Sequence, residues 1–346
     1  MQHPKLQIIR EDGTLAEAQA PVIVSASRST DLPAFYADWF FHRLRVGYSA
    51  WTNPFNGKES FVSYQNTRFI VFWSKNPRPL LHKLEELKKR GIGCYIQFTL
   101  NDYEEEGFEN GVPPLQERID TFRALVDKQG LGAVVWRFDP LLLTEKVNPE
   151  LLLAKIEKIG DQLKGYTEKL VFSFADILSY RKVKTNLEKN HIDYREWKED
   201  EMIQFATELA KLNQKWNFQL ATCAEKISLQ QFGIAHNKCV DDDLIVRLAY
   251  QDKILMNYLK VTIEDGGLFG LPQNAIALPN GQMAVKHKGN KDSGQRQFCG
   301  CIASKDIGEY NTCPHLCEYC YANSSKEAAM KNQERHIARP MDEKIK

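Results

Sequence analysis

Phe69-Ile-Val-Phe-Trp-Ser74, then Leu80, Leu84 and Leu87, then Gly91-Ile-Gly-Cys94-Tyr-Ile-Gln-Phe-Thr99 read as a strand, a helix and a second strand. The two apolar runs are short and do not alternate with polar residues, as expected of strands covered on both faces. The leucines between them recur at i, i+4 and i+7, and Gly91 stands where a C-terminal cap belongs. The same unit recurs along the chain. Val22 to Ser27, Tyr48 to Thr52, Ala133 to Phe138, Leu170 to Phe174, Phe218 to Cys223 and a weaker Gly300 to Ala303 are further strand candidates, bringing the count to eight. Phe40 with Leu44 marks one helix, and Met202, Phe205, Leu209 and Leu212 mark another. Asn148 and Pro149 supply an N-cap and a first-turn proline ahead of the stripe Leu152, Ile156, Ile159 and Leu163. Such alternation implies parallel strands joined by crossovers. It predicts an α/β fold: a complete or modified (β/α)8 TIM-type barrel over residues 21–298, behind an N-terminal arm, residues 1–20. Residues 299–346 are expected to form a C-terminal cysteine-cluster segment packed on the barrel mouth.

In a barrel, the residues just beyond the strands' C-terminal ends share one face. Those residues are Ser25, Ser27, Arg28 and Asp31; Asn53; Ser74, Lys75 and Asn76; Gln97, Thr99 and Asn101; Arg137 and Asp139; Ser173 and Asp176; Cys223 and Glu225. Arg28, Asp31, Arg137, Asp139 and Glu225 form the candidate catalytic set, the plain alternative being polar loops that meet water. Arg137 and Asp139 alternate within an apolar strand, so both are expected to point inward, where an unpaired charge is costly. A structural ion pair is the simpler reading of those two.

Cys313-Pro-His-Leu-Cys317-Glu-Tyr-Cys320 puts three thiols in one short run, with Cys299-Gly-Cys301 just ahead. Thiolates are soft ligands that select iron–sulfur clusters, zinc or Cu(I). A structural zinc needs a fourth ligand, which Cys299, Cys301 or His315 could supply. An iron–sulfur cube held by three thiolates keeps one iron open to a small chelating molecule. Cys223, Cys239, Cys299 and Cys301 make four further thiols, enough for a second centre of zinc or iron and sulfide, although lone cysteines are most often buried apolar side chains. Asp241-Asp242-Asp243 lies beside Cys239, and Cys94 reads as core.

At this triplet the sequence resembles the radical S-adenosylmethionine (SAM) enzymes, whose signature is C-x3-C-x2-C with an aromatic residue before the last cysteine, here Tyr319. Cys317-Glu-Tyr-Cys320-Tyr is most similar to spore photoproduct lyase and its relatives. More of the chain resembles domain of unknown function 1848, a bacterial family, through Ser25-Ala-Ser27-Arg28-Ser-Thr-Asp31, Asn53-Pro54, Arg137-Phe-Asp139-Pro140 and Asp306-Ile-Gly308-Glu-Tyr310-Asn-Thr-Cys313. The radical SAM resemblance implies a 4Fe-4S cluster on Cys313, Cys317 and Cys320, with SAM on its open iron and Tyr319 beside the adenine. It also implies reductive cleavage of SAM to start radical chemistry on an unknown substrate, with a ferredoxin or flavodoxin as electron donor. In radical SAM enzymes the triplet follows the first strand, whereas here it lies near the C-terminus, and Asp265-Gly266-Gly267 is no match for their Gly-Gly-Glu run. If Gly300 to Ala303 stands in for the first strand, the amino-terminal strand becomes the second, and Ser25, Ser27 and Arg28 fall where the methionine end of SAM is held. The rival readings are a zinc-stabilised barrel that binds or hydrolyses something, and an iron–sulfur redox protein without SAM chemistry.

Acidic and basic side chains nearly cancel, to +1, so the overall field argues for neither nucleic acid nor an acidic membrane. With no run of eighteen apolar residues and no early apolar block, a soluble cytoplasmic protein without membrane contact is expected. Residues 101–114 read as an acidic, solvated insertion. Residues 178–200 mix Tyr180, Arg181, Lys182, Lys184, Tyr194, Arg195 and Trp197, a composition able to contact nucleic acid or to form an amphipathic connection. After Cys320 a polar helix is expected from Ser324 to His336.

Overall fold

The structure is a computed structural model and describes residues 3–53, 56–265 and 275–346. Pro54 of the family-like Asn53-Pro54 and the glycines of Asp265-Gly266-Gly267 lie outside the described residues. Eight strands form one sheet: β1 (Ile23–Ala26), β2 (Phe69–Ser74), β3 (Gly93–Thr99), β4 (Val134–Leu141), β5 (Lys169–Phe174), β6 (Gln219–Thr222), β7 (Ala235–His236) and β8 (Lys305–Asp306). All its pairings are parallel, and from β1 to β7 spatial order follows chain order. The exception is β8, which returns from the C-terminal segment to pair beside β1, Lys305 opposite Val24 and Asp306 opposite Ser25.

Connections of one hand between successive parallel neighbours place the crossover helices on one face. On that face Ile70, Phe72, Ile96 and Phe98 join a core with residues of α2 (Ala37–Val46), α4 (Leu115–Gln129), α5 (Pro149–Leu163) and α7 (Glu199–Leu212). Helix α5 starts as its sequence suggests: the Asn148 side chain accepts from Leu151 N at 2.8 Å, Pro149 is its first residue, and Leu152, Ile156, Ile159 and Leu163 are buried. The leucine repeat at Leu80, Leu84 and Leu87 spans a 3-10 turn, Arg78–His82, and a short α3, Leu84–Lys89. Helix α1 (Leu32–Phe35) is a single turn after β1.

The expected closed barrel is not what forms. Among the described residues no ladder joins β7 to β8, and the sheet is open. The face that a closed barrel fills with strand side chains alone carries a helical layer here. Phe69, Val71 and Tyr95 pack with Ile245 and Val246 of α8 (Asp242–Ala249) and with Leu255, Met256 and Leu259 of α9 (Lys253–Leu259). Loop contacts run between the edges, Ile302 N donating to Val240 O at 3.1 Å.

Three strand expectations also shift. Tyr48–Thr52 pairs antiparallel with Glu59–Ser63, a partner close in sequence, and so leaves the main sheet. The expected arm, residues 1–20, is a hairpin over its described part: Lys5–Ile9 pairs with Leu15–Gln19 and extends that small sheet. Gly300 to Ala303 is not a strand; Ile302 makes one isolated bridge to Lys291, and the ladder with β1 begins at Lys305. The polar C-terminal helix forms as α10 (Lys326–Ala338), capped by Ser325. No helix among the described residues is long and apolar enough to cross a membrane.

Candidate functional site

A cavity of about 470 Å³ opens at the C-terminal ends of the parallel strands. It is lined by Ser27, Arg28 and Asp31 after β1, Ser74 at the end of β2 and Lys75 after it, Arg137 and Asp139 of β4, Ser173 of β5, and Cys223 and Glu225 after β6. Seven of the eight cysteines line it, both the Cys313, Cys317 and Cys320 triplet and Cys223, Cys239, Cys299 and Cys301. Cys94 lies elsewhere, and burial pushes its thiol up to about 12.

The triplet's loop is held from three sides. From the acidic insertion, Phe108 O accepts from Glu318 N at 3.0 Å, and Gly111 N donates to His315 O at 2.9 Å. From α6 (Arg181–Lys189), Asn186 Nδ2 donates to Cys320 O at 3.0 Å. From its own end, Asn323 Nδ2 donates to Cys313 O at 2.8 Å and Asn323 N to Cys320 Sγ at 3.3 Å. Burial raises all three thiols, Cys313 to about 12. A metal held by these groups as thiolates would therefore displace protons.

Insertion 101–114 is a platform and not the solvated loop expected. Glu109 is fully buried and is the residue that sequence reasoning missed. It accepts from Lys75 Nζ at 2.6 Å and from the Tyr319 hydroxyl, with Arg118 Nη1 at 3.7 Å. Burial alone would raise its carboxyl, but Lys75 and Arg118 hold it down at about 2. Glu104, Glu105 and Glu106 stand in the same stretch, so nothing in composition singles Glu109 out. Tyr319 also accepts from Lys75 Nζ and Asn101 Nδ2, each at 3.0 Å, and lines the cavity.

Asp31 is a positioning residue. Its oxygens accept from Ala34 N (3.0 Å), Ser74 Oγ (2.6 Å), Lys75 N (2.7 Å) and His315 Nε2 (2.7 Å), tying the β1 and β2 loops to the cysteine loop. Burial opposes its ionisation, yet His315, Ser74 and Lys75 N hold its carboxyl below the ordinary value. His315 bonds Gly111 O through Nδ1 at 2.9 Å, so both ring nitrogens are engaged and it is not the spare metal ligand envisaged.

Asp306 performs a matching task at the other strand end, accepting from Ser27 Oγ at 2.9 Å and Arg28 N at 2.7 Å. Gly308 follows it closely, because a Cβ there would lie 1.8 Å from Ser27 Oγ. Ser25 Oγ sits 2.7 Å from Ser304 Oγ and does not line the cavity.

Arg137 and Asp139 form an ion pair, and Arg137 Nη1 reaches Gln97 Oε1 at 3.3 Å and Cys239 Sγ at 3.1 Å. Asp139 also accepts from Ser173 Oγ. Arg28 lies over the Trp73 ring at 5.1 Å, and its Nη2 is buried without a hydrogen-bond partner among the described residues. Glu225 accepts from Phe174 N at 2.9 Å, and burial, aided by Asp139 and Asp176, raises its carboxyl to about 7. The acidic run is a helix start: the Asp241 carboxylate accepts from Asp243 N, and Lys238 and Lys286 pair with Asp242 and Asp243.

Ser27, Arg28, Asp31, Arg137, Asp139 and Cys313, residues of three separate stretches, thus line one cavity, with Asp306 bound to its rim. A model of the family described as domain of unknown function (DUF1848) matches residues 23–322. The chain belongs to that family. Neither curated proteins nor solved structures gave a match. The family's span starts at β1 and ends just past Cys320, so it takes in the parallel sheet and the cysteine loop but not the N-terminal hairpin or α10.

Proposed function

We propose that this chain is an iron–sulfur enzyme similar to the radical SAM group, with Cys313, Cys317 and Cys320 as ligands of a 4Fe-4S cluster. The observation that carries this reading is the gathering of seven cysteines on one small-molecule-sized cavity at the strand ends, the usual place for a site in such a sheet. The donor set fits the cluster: three soft ligands stand on one anchored loop, with an adjoining space for a chelating molecule, and both ring nitrogens of His315 are engaged elsewhere. When bound, the cluster would supply the electron that cleaves SAM. The chain's own residues do the rest. Arg28, with one donor unpartnered, is placed to bind an anionic group of SAM or substrate. Arg137, held by Asp139 and Gln97, keeps a fixed positive charge in the wall. Glu225, poised near 7, can hold or release a proton at neutral pH.

The test is purification without oxygen, followed by iron and sulfide analysis and an assay for 5′-deoxyadenosine after chemical reduction with SAM present. Brown protein that releases deoxyadenosine is the expected result, with the cluster lost in Cys313→Ala, Cys317→Ala and Cys320→Ala. Colourless protein containing zinc would overturn the reading, and so would an iron content undiminished from wild type in all three variants. A redox protein without SAM chemistry would be brown and release no deoxyadenosine.

A further inference from the structure

Four thiols outside the triplet's loop meet at the seam between the two edges of the parallel sheet. Cys223 follows β6 and Cys239 follows β7, near one edge, while Cys299 and Cys301 precede β8 at the other. Their sulfurs form a continuous run. Cys223 Sγ lies 3.4 Å from Cys239 Sγ. Cys239 N and Val240 N donate to Cys301 Sγ at 3.2 and 3.4 Å, and the side chains of Cys239 and Cys299 both adjoin the Cys301 thiol. Cys239, Cys299 and Cys301 are buried.

The charges around this run point the same way. Arg137 Nη1 is 3.1 Å from Cys239 Sγ. Arg28 lines the same cavity and its buried Nη2 has no hydrogen-bond partner among the described residues. Arg296 lies on the cavity wall as well. Asp139 pairs with Arg137 and Asp306 lies near Arg28, and four thiolates on one metal centre would leave a net negative charge that the remaining positive charge of this wall offsets.

We propose that Cys223, Cys239, Cys299 and Cys301 hold a second centre, a thiophilic metal bound by four thiolates, either zinc or an iron–sulfur cluster, which clasps the seam of the sheet. No three of these sulfurs lie within 4.8 Å of one another. A single tetrahedral zinc with bonds of ~2.3 Å would place every pair at about 3.8 Å. Loading a single zinc would therefore draw the four side chains together across the seam, so that metal binding becomes part of the fold's closure. This inference does not rest on the radical SAM reading, because it concerns a separate set of ligands.

The experiment removes the triplet first. The full chain carrying Cys313→Ala, Cys317→Ala and Cys320→Ala, purified without oxygen, is expected to retain stoichiometric zinc, or iron with sulfide. X-ray absorption should then give a first shell of sulfur. Adding Cys301→Ser or Cys223→Ser should remove that metal. Absence of metal from the triple variant overturns the proposal, as does full metal content after both serine substitutions. Should the serine variants not fold, hydrogen exchange on the triple variant before and after chelation decides. Protection lost together at residues 235–240 and 299–306 supports the clasp, and protection unchanged by chelation overturns it.

Discussion

Glu109 shows how much one side chain can determine. Its carboxylate is enclosed with Lys75 and Arg118, and it takes the hydroxyl of Tyr319, the residue directly before Cys320 of the triplet. Glu109→Gln keeps the shape but leaves two buried cations without their counter-charge, a change worth about 3–5 kcal/mol of stability. Chemical denaturation should read that loss. The pH dependence has a definite sign, since the folded carboxyl titrates at about 2 against an ordinary 4.5. Its stabilisation is complete above about 4.5 and disappears as the pH falls through about 2, because the unfolded chain takes up its proton first. Wild-type protein should therefore lose stability more steeply over that acid window than Glu109→Gln. Parallel acid-unfolding curves for the two would refute the assignment of this pair.

Among the elements, the insertion at residues 101–114 and helix α6 have one shared task, to hold the cysteine loop. Gly111 is the tightest point, where a Cβ would come within 2.6 Å of Pro314 O and 2.8 Å of His315 O. Both neighbours are backbone and cannot swing aside. Gly111→Ala should cost about 1–3 kcal/mol, as overpacking does, and displace the loop that carries the triplet. The expected outcome is a folded protein with a modest fall in melting temperature and a much larger fall in iron content after anaerobic purification. Wild-type metal content in that variant would show that the insertion does not position the ligands. Residues 178–200, which include α6, are a candidate for nucleic-acid contact by composition; in the fold Asn186 is bonded to Cys320 O, and Lys182 lies 4.8 Å from the centre of the Tyr310 ring.

For the whole molecule, the main feature is that the last strand of the sheet sits before the first. β8 pairs with β1, and the chain's end returns close to its start, Arg10 Nη2 reaching Glu343 Oε2 at 2.8 Å. A circular permutant opened in the exposed turn at residues 292–295, with the old termini joined by a short Gly/Ser linker, should fold with the same circular dichroism spectrum and the same metal content. It would place the cysteine loop directly after an initial strand and ahead of β1. A permutant that aggregates without binding metal would show that the native chain order is needed to close the sheet's edge.

The amino-acid sequence by itself determined the buried strands, the helical stripes with their caps, and the strand-end residues that came to line one cavity. These signals are local: period, capping and turn chemistry act within a few residues, so β2, β3 and α5 were legible almost to their ends. Arg137 and Asp139 were legible for a related reason, since charges set two apart in an apolar strand must find partners on the same face. The tertiary structure alone decided that the sheet stays open, that Tyr48–Thr52 leaves it, that β7 and β8 form its edges, and that Glu109 is the acidic residue enclosed with Lys75 and Arg118. Each of those outcomes depends on where distant segments pack, α8 and α9 against one face of the sheet and residues 299–320 across the strand ends. Contacts between residues two or three hundred positions apart leave no periodicity in the chain from which to read them.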